Sequence, residues 1–143
     1  MVDLRRQWGD GMNYDDHCVC LGRLWGNLQS LEVTLRLFLT QANPSENFII
    51  SRDTFGTLVK KYNGQLSKDE LYSVNKTVVK VRNALTHGLV SGRMKGFPLT
   101  LLHKDLEVEM TVKWFGDQHS LAQEQIDRIS ACGEERWKSL WWK

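Results

Sequence analysis

Apolar residues along the chain follow two rhythms, one near 3.6 residues and one of two, and the changes between them mark out the elements. From about His17 to Gln41, Leu21, Leu24, Leu28, Leu31, Leu35 and Phe38 recur at alternating steps of three and four. That spacing lines the apolar side chains along one stripe of a helix. Trp25, Leu37 and Leu39 widen the stripe, so the helix is expected to pack against two neighbours. Asn43-Pro44-Ser45 ends it, because proline disfavours the helical shape in the residue before it. Ser51 is the expected N-cap of a short second helix. Its inward side would be Phe55, Leu58, Val59 and Tyr62, with Asn63-Gly64 as the stop.

A third helix is expected to open on Ser67 and Glu70, which have capping-box spacing. Leu71, Val74, Val78, Val81 and Leu85 form its core stripe, and Gly88 stands where a C-terminal glycine cap belongs. Lys76, Lys80, Asn83 and His87 fall on the opposite face, within about 60° of one another. After Gly92 the period becomes two. Leu106, Val108, Met110, Val112 and Trp114 alternate with polar residues, the pattern of a half-buried strand. Phe97 to His103 is its expected antiparallel partner, with Lys104-Asp105 near the turn. Helix resumes from about Gln118 through Leu121, Ile126 and Ile129 to a tail of Trp137, Leu140, Trp141 and Trp142, with a kink expected at Gly133.

The fold class is therefore mainly α: an antiparallel bundle of about four helices with a β-hairpin between the third and fourth. One domain is expected over residues 1–143. It divides into an N-terminal arm (1–16), helices (17–90), a hairpin (97–114) and a C-terminal helix (118–143).

Composition narrows the functional classes. The 143 residues are 41% hydrophobic, enough for a packed core. With 19 Lys and Arg against 17 Asp and Glu, the net charge of +2 excludes a polybasic coat, so any affinity for nucleic acid has to be local. The mostly polar stretch from Met1 to Met12 is unlike a secretory leader, and no apolar run approaches membrane-spanning length. The expected location is cytoplasmic, with no membrane partner. Three scattered cysteines make no disulfide framework.

The segment VRNALTHG, Val81 to Gly88, carries the chemistry. Histidine is the side chain whose ordinary pKa lies nearest neutrality, which suits acid–base work. Arginine forks onto phosphate, and Asn83 stands one turn before His87, in position to orient it. Arg and His in a last helical turn are also ordinary caps. On an ideal helix Arg82 and His87 point about 140° apart. Either the helix end is distorted, or two copies face each other across a two-fold axis.

Arg82-Asn83-Ala84-Leu85-Thr86-His87 resembles the R-x4-6-H pattern of HEPN domains, with the Asn that often follows the Arg. The context is similar too: an apolar first helix, a short second helix, and the motif closing a third helix before Gly88. The likeness covers residues 17–90 and the last helix, and the hairpin looks like an insertion. The resemblance implies a dimeric, metal-independent endoribonuclease with no cofactor, in which the ribose 2′-hydroxyl attacks the adjacent phosphate. It assigns His87 as general base or acid, Arg82 to the scissile phosphate and Asn83 to orientation. Many relatives are toxins, abortive-infection proteins or RNA-processing factors, so an antitoxin or other regulatory protein joins RNA and a second copy among the expected partners. The tyrosine that some toxin relatives carry two residues after the His is Leu89 here. The rival expectation is a non-catalytic HEPN-like dimer that binds RNA, a nucleotide or a protein.

Other features carry less. Lys76 and Lys80, sharing the His87 face, are the candidate substrate-binding residues, and Lys60 and Lys61 could extend a groove with them. His17-Cys18-Val19-Cys20, with His103, His119 or Cys132, lacks the second paired motif of structural zinc, so no metal site is expected. The terminal tryptophans suit packing or a dimer contact better than base stacking. Glu32 is a first-helix carboxylate of the kind that approaches the motif in some relatives.

Overall fold

The computed structural model describes residues 13–66, 71–91 and 99–141. Among them are four helices, α1 (Tyr14–Ala42), α2 (Phe55–Gly64), α3 (Thr77–His87) and α4 (Val112–Trp141). Between α3 and α4 come three short strands, β1 (Leu89–Ser91), β2 (Thr100–His103) and β3 (Leu106–Glu109). The fold is mainly α, as the periodicity implies. No helix among the described residues is long and apolar enough to cross a membrane.

Local chemistry explains most boundaries. Asn13 and Asp16 cap α1 reciprocally: the Asn13 side chain accepts from the Asp16 N–H at 2.8 Å, and the Asp16 carboxylate accepts from the Asn13 N–H at 3.4 Å. Helix therefore reaches into the expected arm, of which residues 1–12 lie outside the described residues. α2 is capped by Thr54 rather than Ser51, its hydroxyl accepting from the Thr57 N–H. Ser51 instead accepts from Arg36 at 3.1 Å and donates to Asp53.

α3 begins later than the stripe implies. The Ser67–Glu70 pair lies outside the described residues, and Leu71 is 69% exposed. Asn75 starts the helix, its side-chain oxygen accepting from the Thr77 N–H at 2.9 Å. The backbone before it is tied down by side chains. Asn63 holds Val74 by two hydrogen bonds, the Tyr62 hydroxyl donates to the Tyr72 carbonyl, and Arg128 donates to the Ser73 carbonyl. With its polar groups satisfied in this way, that segment needs no helix.

The second strand of the expected hairpin also ends early. Alternation runs to Trp114, but β3 stops at Glu109, and the Thr111 hydroxyl accepts from the Trp114 N–H to cap α4. Val112 and Trp114 thus belong to the helix. α4 passes through Gly133 without interruption. A Cβ at Gly133 would come within 3.1 Å of the Trp137 ring, so glycine there makes room for an indole rather than a bend.

The chain forms two compact units, residues 1–27 with 80–120 and residues 28–79 with 121–143. The second holds an extended core of Leu31, Leu35, Phe38, Leu39, Phe55, Leu58, Tyr62 and Ile129, with Trp137 against Phe38 at 4.9 Å between ring centroids. There Arg36 pairs with Glu32 at 3.3 Å and donates to the carbonyls of Phe48, Ser51 and Asp53. One guanidinium thereby closes the loop between α1 and α2.

The first unit contains the sheet, antiparallel in the order β1-β2-β3. Leu89 pairs with Leu102 and Ser91 with Thr100, while Thr100 pairs with Glu109 and His103 with Leu106. Phe97 and Pro98 lie outside the described residues. Lys104 takes a left-handed backbone (φ 54°) in the tight turn that the sequence places at Lys104-Asp105. His17, Leu24, Val81, Ala84, Leu101, Met110 and Phe115 are buried here.

Candidate active site

α3 delivers Arg82, Asn83 and His87 within the first unit. Valines and an alanine hold the helix by burial, Val81 and Ala84 being enclosed. Its last turn is tied off locally. The Thr86 hydroxyl donates to the Arg82 carbonyl at 2.9 Å, and the Gly88 N–H donates to the Ala84 carbonyl at 2.8 Å.

Gly88 does more than cap. A Cβ there would stand 2.3 Å from the Ala84 carbonyl oxygen and 2.6 Å from that of Leu102. Both neighbours are backbone, so no rotamer change relieves the clash, and only glycine permits this approach of β2 to the helix tip. The register, carried one step beyond Leu89–Leu102, sets Gly88 opposite His103. As a result the His87 and His103 rings lie 6.5 Å apart between centroids, inclined at 34°. His87 is exposed and His103 half-buried. The hairpin read as an insertion is thus one strand larger, and it places its own imidazole beside the motif.

Arg82 goes elsewhere. Its guanidinium carbon lies 5.7 Å from the centre of the Trp25 ring, within cation–π range. α3 stays α-helical through His87, so the Arg82 and His87 positions keep the spacing of about 140° around it. Asn83 is half-buried and makes no hydrogen bond to His87, whose ring faces His103 instead. Lys80 is exposed, two turns before His87 and about 20° from it around the helix. Lys76 is exposed in the turn ahead of α3 and falls in the other unit. Lys80, Asn83 and His87 are the members of the expected strip that lie on α3.

Several of the remaining candidates have structural partners, while Lys60 is exposed. Lys61 bonds both carboxylate oxygens of Asp53 at 3.2 Å. The hydrogen bonds from Lys61 and Ser51 hold that carboxyl below its ordinary pKa. Glu32 is engaged by Arg36 in the second unit. His17 is buried edge-on against Phe115, and burial lowers its pKa. Cys18 is exposed and Cys132 buried. Among the described residues no three His, Cys, Asp or Glu side chains gather as a metal would require. Trp137 is packing, while Trp142 and the side chain of Trp141 lie outside the described residues.

In the sequence, His103 stands out only as a possible metal ligand. The missed signal is Leu89-Val90-Ser91, a strand of three residues directly after the helix. It is too short for alternation to reveal, yet it decides what lies beside His87.

No family model, curated protein or solved structure matches the chain. The functional reading therefore stands on the site and on the motif itself.

Proposed function

We propose that the protein is a metal-independent endoribonuclease of the HEPN type, a cytoplasmic homodimer acting on single-stranded or looped RNA in prokaryotic stress or phage defence. One observation carries the reading: the motif histidine is exposed at the tip of α3 beside a second imidazole, with Lys80 on the same helix face. An exposed imidazole beside a half-buried one, on a helix face that also carries Lys80, suits proton transfer at a phosphodiester. The ribose 2′-hydroxyl supplies the nucleophile, and the products are a 2′,3′-cyclic phosphate and a 5′-hydroxyl. Because Arg82 diverges from His87 on its own helix, the arginine serving each phosphate comes from the second copy. A regulatory or antitoxin partner would act by covering the helix tips.

The test is cleavage of RNA in EDTA with end-group analysis of the products. Arg82→Ala and His87→Ala should each lower the rate by about 10²-fold or more while leaving the assembly intact. Mixing the two inactive variants should restore activity, since a mixed dimer keeps one complete Arg82–His87 site. Cleavage that survives both substitutions overturns the proposal. The Arg82–Trp25 contact favours a second reading, a dimer that binds RNA, a nucleotide or a protein without turnover. Measurable RNA affinity with no cyclic phosphate ends would select it.

A further inference from the structure

We infer that His103 is the second acid–base group of this site, acting with His87 of the same protomer on opposite ends of one scissile phosphodiester. The inference rests on the nuclease reading and adds to it a residue outside the R-x4-6-H motif. The motif supplies one imidazole per chain, whereas cleavage by the 2′-hydroxyl moves two protons. A base takes the proton from the 2′-oxygen as that oxygen bonds to phosphorus. An acid gives a proton to the 5′-oxygen as the bond between phosphorus and that oxygen breaks. One neutral and one protonated imidazole perform both transfers and exchange states, so protons balance and no co-reactant is consumed.

The geometry fits this division of labour. Proton transfer needs hydrogen-bond reach, about 2.6–3.2 Å between heavy atoms. Rings whose centroids lie 6.5 Å apart are spaced to hold one phosphoryl group between them, each reaching an oxygen on its own side. The pair is also fixed from two directions. His87 ends α3, His103 ends β2, and the backbone approach at Gly88 locks the two ends together. His103 shares a sheet face with Leu101, whose burial fixes the strand's orientation. Lys80, on the His87 face, can meet the phosphate charge from the same protomer. A metal is the other common use of paired imidazoles, but among the described residues no third ligand joins these two.

The experiment compares the wild-type protein with His87→Ala, His103→Ala and His103→Asn. The asparagine variant keeps a polar side chain on β2 but cannot shuttle a proton, and thermal melts establish which variants fold. Each folded His103 variant should cleave ordinary RNA about 10²- to 10⁴-fold more slowly than wild type, with RNA affinity retained. The bell-shaped pH–rate profile of the wild type should lose one limb in the His87 variant and the other in the His103 variants. An RNA carrying sulfur in place of the 5′-bridging oxygen has a leaving group that needs no proton. That substrate should restore the rate for one of the two positions and not for the other, which a merely structural role for His103 would not produce. Wild-type-like cleavage by His103→Asn with both limbs intact overturns the pairing and leaves the nuclease reading standing. If the wild-type protein yields no cyclic phosphate ends, both fall together.

Discussion

The unit of residues 28–79 and 121–143 buries Phe38, Phe48, Phe55 and Tyr62 among leucines and valines, and its polar side chains are spent on tying down loops. Among the described residues, the unit of residues 1–27 and 80–120 buries fewer large apolar side chains, and its candidate site lies at the surface. Its enclosed residues include a histidine, and Arg82 and His87 lie on α3, with His87 exposed at its end. The first arrangement is what stability asks for, because large apolar side chains gain most from leaving water. The second leaves ionisable groups where a ligand can reach them, which stability alone would not select. On the proposed function, stability and chemistry are concentrated in different halves of one short chain.

That contrast can be broken by substitution. The largest effect on stability should come from Phe55→Ala, which empties a fully buried position and should cost about 3–5 kcal/mol in urea denaturation. Cleavage per folded molecule should be unchanged. Gly88→Ala should cost less, about 1–3 kcal/mol, because the strand and helix tip must separate to admit a methyl group. It should nevertheless abolish cleavage, since that separation parts the imidazoles. If Gly88→Ala keeps full activity, or Phe55→Ala loses it while folded, the division between the halves fails.

The smallest effect is a pH slope. Burial holds the pKa of His17 below its ordinary value of 6.5, so the unfolded chain binds a proton that the folded chain resists. Stability from this group is complete above about pH 6.5 and is lost progressively as pH falls from there through the lowered folded value. His17→Leu, compared with wild type by denaturation at pH 7.5 and pH 5.5, should flatten that decline. Equal slopes for the two proteins would show that His17 does not contribute it.

Much of the helical half was legible because periodicity reports burial. Phe55, Leu58, Val59 and Tyr62 face inward as spacing implies, and Leu31, Leu35 and Phe38 line the core. Boundaries were less legible, because several polar residues competed for each cap. Ser51 had the chemistry of a cap but is drawn to Arg36, and Thr54 takes its place. Thr111 stops an alternation that would otherwise run into α4. At the site, His87, Asn83 and Arg82 could be placed on α3 from spacing, and so could the angle between Arg82 and His87. The proximity of His103 could not, because it depends on strand register across a long gap in sequence, and no local pattern encodes that. Arg82 settling on Trp25 is hidden for the same reason, the two lying far apart along the chain.

Strand pairing makes the distance between the two imidazoles a matter of counting. Side chains alternate across a sheet, so one residue added within β2 would turn His103 to the opposite face, and two would carry it along the strand by about 7 Å. The rungs from Leu89–Leu102 to Ser91–Thr100 hold that count. Changes in chain length inside the second strand should therefore be forbidden, because its ladder rungs set the spacing.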